Sequence, residues 1–385
     1  MVTVLFWLSL ALLVYIYIGY PLLSRLLATL RNRTVHKDEG HQPVVSVLIA
    51  AYNEAGDIEA TLRNKLEQDY PADRLEILVI SDESDDGTDD IVRQVGQIAR
   101  APLRLFRQIP RQGKTAGLNT LVPKAKGEVI LFSDANSHWA KDAIRKLVRN
   151  FADPRVGYVT GKMVYVNDDG TLVGDGCSAY MKYENWLREQ ETSTGSVIGV
   201  DGGIDAMRKM LYQPLRSDQL PDFVQPLKVV EQGYRVVYEP EALLKEEALS
   251  DSGSEFAMRV RVSLRALWAL KDMRHLMNPA RYGLFAMQLI SHKWLRYYGF
   301  VPLAVFTLAT LLLAKHGGVY IFAFLGLLAL YVLAWLGHVK EKNGRNLSPL
   351  YSTTYYFLLL NLSSLQAAKG YLKGEKRVIW KPRQG

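Results

Sequence analysis

The chain has 385 residues, 49% of them apolar, a formal charge of +8 and a single cysteine, Cys177. Such a composition excludes a disordered chain, and one cysteine without Cys/His clusters excludes a disulfide framework and structural zinc, pointing to a reducing compartment. The positive balance suits nucleic acid, anionic lipid and phosphorylated substrates alike, so the placement of the charges says more than their sum.

Met1 to Ser24 carries no charged side chain and is rich in Leu, Val, Ile and Tyr, enough for a hydrocarbon core that takes ~20 helical residues. The stretch lacks the basic start and small-residue cleavage site of a secretory signal, so 1–24 reads as an uncleaved transmembrane helix. Arg25, Arg31, Arg33 and Lys37 follow in a basic linker, 25–42. By the positive-inside rule, the next domain is then cytoplasmic and the protein integral to the cell (inner) membrane.

Pro43 to Ala51 reads as a buried strand that breaks into Tyr52, Asn53 and Glu54, followed by a helix over Asp57 to Gln68. Leu75 to Ile80 is a second strand, running straight into SDESDDGTDD and a further helix; Leu103 to Arg107 is a third. After the loop RQGKTAGLN comes Val129 to Phe132, four large apolar residues with no polar side for water, ending abruptly in Ser133, Asp134, Ala135 and Asn136. Apolar strands alternating with helices of about ten residues predict an α/β domain over 43–254, with a mostly parallel sheet covered on both faces.

In such a sheet, ligands bind beyond the carboxyl ends of the strands. That edge carries Tyr52 and Glu54, Asp82 and Asp85, Lys114, and Asp134. Acidic loops beside a lysine suit a nucleotide: carboxylates accept from base N–H or ribose hydroxyls, while Lys or a metal neutralises phosphate. Asp134 and Asn136, two residues apart, can face one hard divalent cation or a pair of sugar hydroxyls; alternatively Asp134 caps a helix starting near Lys141. In SDESDDGTDD the plainer reading is a solvated turn, with Gly87 taking the awkward dihedrals and Thr88 capping the helix. Neither a GxGxxG nor a GxxxxGK[ST] phosphate cradle follows the first strand.

With AAYNE, SDESDDGT, QGKTAGLN and FSDAN in that order, the stretch from Val44 to Arg296 resembles inverting glycosyltransferases of family 2, especially membrane-embedded members of the group containing cellulose, hyaluronan and poly-N-acetylglucosamine synthases. The resemblance implies a Rossmann-like GT-A fold and a nucleotide-sugar donor, usually UDP-linked, with no nucleic-acid partner. It implies donor contacts at Ala51, Tyr52, Glu54, Asp82, Lys114, Asp134 and Asn136, with Mg or Mn held at Asp134 and Asn136. Asn136 departs from the family's second carboxylate and is a neutral ligand. The loop Gly199 to Lys209, with Asp201 and Gly202, resembles the acceptor-side loop. LPDF falls where the family carries an acidic pair, so Asp222 is the implied general base, with Pro221 in place of the first acid and Asp218 the second choice. The bland alternative is that Asp222 caps a helix over Phe223 to Gln232.

Glu255 to Lys271 reads as an amphipathic helix within an interfacial stretch, 255–296; Arg261, Arg265 and Trp268 share a face. The family's processive members carry QxxRW here, and this chain does not. By position Arg261 or Arg265 binds diphosphate and Trp268 stacks on a sugar; snorkelling arginines on an interfacial helix explain the pattern equally. Uncharged runs at 297–314 and 317–337 predict a transmembrane hairpin, and 346–368 a weaker fourth membrane segment between two basic flanks, ahead of a basic tail, 369–385.

The resulting expectation is a membrane-anchored inverting hexosyltransferase serving a growing polysaccharide or glycolipid, with membrane lipid around it and an export partner possible. The alternatives are a polyprenyl-phosphate glycosyltransferase and a non-catalytic sugar-nucleotide-binding assembly partner.

Overall fold

The structure is a computed structural model and describes residues 1–166, 176–247, 252–343 and 347–376. The basic residues Arg345, Arg377, Lys381 and Arg383, which flank and follow the expected fourth membrane segment, lie outside the described residues. The chain divides into two compact units, one built on residues 31–172 and 188–247, the other on 1–30, 173–187 and 248–376.

The first of these units is organised by one sheet. Its strands are β1 (Val45–Ala51), β2 (Leu75–Ser81), β3 (Leu103–Arg107), β4 (Val129–Asp134), β5 (His138–Trp139), β6 (Val156–Val166), β7 (Asp205–Arg208) and β8 (Arg235–Glu247), in the order β3-β2-β1-β4-β7-β6-β8-β5. The first four are parallel, as alternating strands and helices require. Beyond them the sheet is mixed: β7 runs antiparallel between β4 and β6, β8 lies parallel to β6, and β5 lies antiparallel to β8. The expected mostly parallel sheet is thus mixed: β6 and β8 run with the first four strands, and β7 and β5 run against them. β7 is four residues long, too short for its period to stand out in the sequence.

Every residue of β1 and β2 is buried, and alternate side chains serve opposite faces. Val47, Ile49, Val79 and Leu131 pack with Ile58 and Leu62 of the helix Ile58–Leu66. Leu48, Leu78 and Ile130 pack with Leu118 and Leu121 of the helix Lys114–Leu121. Burial on both faces leaves the carboxyl ends of β1, β2 and β4 as the places where polar groups emerge together.

The second unit is helical. Two helices among the described residues are long and apolar enough to cross a membrane, Val2–Arg31 and Val319–Lys342, and the pair Pro279–Tyr297 and Phe300–His316 passes that test only jointly, with a bend of 58°. This is consistent with membrane association. Phe6 is fully buried against Phe306 and Tyr320, with ring centroids 5.1 and 5.0 Å away. Outward-facing residues such as Leu22, Leu308 and Phe322 are exposed, as on a lipid-facing surface. From residue 349 on, the weaker run at 346–368 lies in the helix Pro349–Leu372, which is not among those spans. Its small and polar residues Ser352, Asn361, Ser363 and Ser364 are buried, and Ala367 and Ala368 pack on Leu264 and Leu267 of the helix Ser252–Asp272.

Ile49 is wholly enclosed at the centre of the sheet. Ile49→Ala is expected to lower stability by about 2–5 kcal/mol, read as an earlier midpoint in chemical denaturation.

Candidate active site

Lys114 opens the helix Lys114–Leu121, behind Gly113 at φ 89°. Its ammonium donates to Asp134 Oδ1 at 2.7 Å and lies 3.6 Å from Asp222 Oδ1. Asp134 is the last residue of β4, and Asp222 stands in the first turn of the helix Pro221–Glu231. Two carboxylates separated by 88 positions thus share one cation, and all three side chains reach solvent in part. Burial works against the lysine's charge, but Asp134 and Asp222 outweigh it and hold its pKa above the ordinary lysine value. The group therefore stays cationic throughout the physiological range.

The alternatives left open by the sequence are decided by this geometry. Asp134 caps nothing near Lys141, since the helix there is Ala143–Val148 with Asp142 before it. Asp222 is not an N-cap; that place belongs to Leu220, and Pro221 occupies the first helical position, where its missing N–H costs nothing. Thr88 starts the helix Thr88–Ile98 behind Gly87 at φ 96° but does not cap it. Its hydroxyl donates to Asp86 and accepts from the Glu54 N–H at 2.9 Å, joining the loops after β1 and β2.

That junction fixes the rest of the edge. Ala51 is buried, and its carbonyl accepts from the Asp82 N–H at 2.8 Å. Asn53 takes the left-handed φ of 52° and exchanges hydrogen bonds with Asp85 at 2.8 and 3.0 Å. Asp82 is almost fully enclosed and accepts from the Gln108 amide, the Gln112 and Gly113 N–H groups and Arg111 Nε. The structure thus places Asp82 as the anchor of the loop before Lys114, and Arg111 stacks over the Tyr52 ring at 3.3 Å. Glu54 contributes its backbone N–H to Thr88 and its carbonyl to the start of the next helix.

The loop before β7 presses on the same centre. Gly202 has φ 85°, and a Cβ there would lie 2.7 Å from Asp222 Cγ. A Cβ on Gly203 would lie 2.8 Å from Leu244 and 3.6 Å from Asp134 Oδ2. The glycines therefore let backbone sit directly against both carboxylates. The Asp201 side chain is enclosed and ion-paired to Arg188 at 2.6 Å, which ties the loop to that arginine. Asp218 pairs with Arg216 at 3.1 Å, and His138 lies in β5 opposite Lys245.

Arg261, Arg265 and Trp268 belong to the helical unit, on Ser252–Asp272. Trp268 is committed there: its indole N–H donates to the Glu375 carbonyl at 2.8 Å and its ring packs on Tyr371 at 4.7 Å. Arg261 and Arg265 are each half-buried on that helix.

Two residues of this centre gave no sequence signal. Lys65 is fully buried, donates to the Ser137 carbonyl at 2.6 Å and to Asn64 at 2.9 Å, and lies 4.2 Å from the Trp139 ring, bracing the loop after β4. Burial pulls its pKa well below the lysine value, partly offset by Asp134. Asp205, also fully buried, accepts from Tyr158 Oη at 2.8 Å and the Gly202 N–H at 3.1 Å. Burial raises its pKa to about 7, the Asp222 charge adding to the effect and the Thr160 and Tyr158 hydroxyls partly offsetting it.

The resemblance implies a divalent cation, and the residues fit one of a particular kind. Among the described residues no cluster of three His, Cys, Asp or Glu side chains forms a metal cage of protein alone. Asp134 is part-exposed, already faces a cation's charge, and has the half-buried Asn136 two residues on. One carboxylate and one amide suit Mg or Mn that takes its other ligands from diphosphate and water.

Comparison with known proteins agrees with this architecture. Residues 46–213 match the model for glycosyl transferase family 2. A β-monoglucosyldiacylglycerol synthase from Trichormus variabilis is 29% identical over 182 residues, 46% of this chain and 39% of the relative. A poly-β-1,6-N-acetyl-D-glucosamine synthase from Staphylococcus aureus is 26% identical over 265 residues, 65% of this chain and 62% of the relative. The match thus spans less than two thirds of each. A solved mannosyltransferase from Pyrobaculum calidifontis, in complex with GDP-Man and Mn2+, superposes with a TM-score of 0.74 at 25% identity, covering 96% of this chain and 99% of that one. The protein is an enzyme of the glycosyltransferase class. More particularly, its fold is GT-A, built on a mixed sheet, and residues 46–213 are similar to family 2.

Two predictions follow from the centre's electrostatics and packing. Asp205 binds its proton more tightly folded (about 7) than unfolded (3.8), so this residue favours the fold below pH ~4 and that contribution fades as pH rises to ~7. Asp205→Asn should flatten the pH dependence of the melting temperature between pH 4 and 7. Gly202→Ala must displace Asp222 or the loop, and is expected to reduce kcat at least ~10-fold, in line with the cost of small misplacements, with an unchanged far-UV spectrum.

Proposed function

We propose that this enzyme transfers a sugar, with inversion, from a nucleoside-diphosphate sugar to a glycan or glycolipid acceptor at the cytoplasmic face of the cell membrane. The single observation carrying the proposal is the convergence of Lys114, Asp134 and Asp222 at the carboxyl edge of the sheet. The bound GDP-Man and Mn2+ of the Pyrobaculum mannosyltransferase support the donor class and the cation. The names of the other two relatives carry one glycolipid and one polysaccharide product, which supports both acceptor classes. The basic residues after the first helix, Arg25 to Lys37, support the cytoplasmic side.

In the proposed reaction the acceptor hydroxyl oxygen attacks the anomeric carbon, its proton passes to Asp222, and the bond from that carbon to the diphosphate oxygen breaks, releasing nucleoside diphosphate. Asp222 stands at a helix N-terminus and 3.6 Å from Lys114, both of which favour its charged form before the proton arrives. Lys114 is placed to meet negative charge growing on the leaving group. A Mg or Mn ion at Asp134 and Asn136 would neutralise further diphosphate charge. Tyr52 and Glu54, which follow the buried Ala51 at the end of β1, would hold base and ribose, while Asp82 keeps the 108–113 loop in place.

Asp222→Asn should cut turnover by about 10²–10⁴-fold, the range of general-base catalysis, while calorimetry still detects binding of the nucleotide sugar. Unchanged turnover would remove Asp222 from the role of base. Mass analysis of products from a panel of nucleotide sugars would identify the donor.

A further inference from the structure

The helical unit contains an open cavity whose lining includes Arg259, Lys293, Arg296, Tyr180, Tyr17 and Asn361. Among the described residues no carboxylate lines it, and Glu184 and Glu255 pair with its cations. Glu184 is enclosed, receives Arg296 in a short ion pair, and lies 3.6 Å from Lys293 Nζ. Glu255 receives Arg259 Nε and Tyr356 Oη at 2.7 and 2.8 Å. Arg296 also lies over the faces of Tyr180 and Tyr183, each 5.2 Å away. The wall is therefore a braced set of N–H and O–H donors drawn from several helices.

Its surroundings are apolar. Tyr17 belongs to the candidate span Val2–Arg31, and the same helix exposes Val14, Ile18 and Leu22 at four-residue spacing, alongside exposed Leu362 next to Asn361 in the chain. Ionisable side chains among membrane-competent helices are expensive and mark ligand sites more often than scaffolding. Three cations beside hydroxyl donors match the acceptor oxygens of a phosphate group, and the exposed apolar stripe matches acyl or prenyl chains.

We propose that this cavity binds the phosphate headgroup of a membrane lipid, with the lipid's chains lying along the apolar surface of the first helix. A ligand of this class takes its specificity from the charge and oxygens of the phosphate. The inference stands apart from the transfer reaction, because its test reads binding and not turnover.

The test uses the full chain in a mild non-ionic detergent, with dioleoyl phosphatidic acid, dioleoylglycerol and inorganic phosphate as separate probes, followed by native mass spectrometry and thermal unfolding. Phosphatidic acid should be retained one per chain and raise the melting temperature, whereas dioleoylglycerol and inorganic phosphate should do neither. Lys293→Gln removes one cation, and Ser263→Trp fills the cavity while keeping all three; each should weaken phosphatidic acid at least 10-fold. If Ser263→Trp does not fold, Lys293→Gln together with Arg259→Gln gives the same reading. Equal retention of dioleoylglycerol would overturn the headgroup assignment. Stabilisation by inorganic phosphate alone would replace the lipid by a soluble anion. Phosphatidic acid binding that no variant alters would leave the cluster as a helix brace only.

Discussion

The sheet-bearing unit turns on one ammonium held between two carboxylates that stand 88 positions apart in the sequence. Lys114 starts a helix, Asp134 ends a strand and Asp222 enters with a later helix. Unpaired, two like charges repel in a partly desolvated pocket; Lys114 between them gives both carboxylates one opposite charge to approach. The arrangement is also pre-built for a ligand of the lysine's partner charge.

What keeps the ammonium there is a chain of loop-to-loop bonds. Asp82 gathers N–H groups of the 108–113 loop, Thr88 and Asp86 tie the first two loops together, and Lys65 braces the loop after β4 from below. Acids that look like ligands in the sequence divide into two sets here. Asp82 and Asp201 are enclosed and satisfied by protein donors, whereas Asp134 and Asp222 keep part of their surface open. Access rather than residue type separates the groups placed for chemistry from those that hold the frame.

The strands β1, β2 and β4 were legible because each is a mainly apolar run leading into polar turn residues, and β3 because its apolar residues alternate with arginines; their parallel order follows from the helices between them. β7 was not: four residues containing a buried Asp205 do not read as a strand, and its antiparallel insertion is a long-range choice. Within the site, Lys114, Asp134 and Asp222 could be named because they lie in short motifs with a familiar order. Lys65 sits at a position that reads as an ordinary solvent-facing helix lysine, and Asp205 as part of a glycine-rich loop. Only their tertiary surroundings make them exceptional. Trp268, offered as a sugar platform by its position in the resemblance, packs on Tyr371, a partner 103 residues away that periodicity cannot foresee.

The central claim is that Asp222 deprotonates an acceptor that displaces the nucleotide in a single step. The configuration of the new glycosidic bond tests it most directly, by proton NMR of the product formed from an α-linked nucleotide sugar. The account predicts a β linkage in the first product detected. An α linkage would require a second displacement or a different attacking group, and would contradict it.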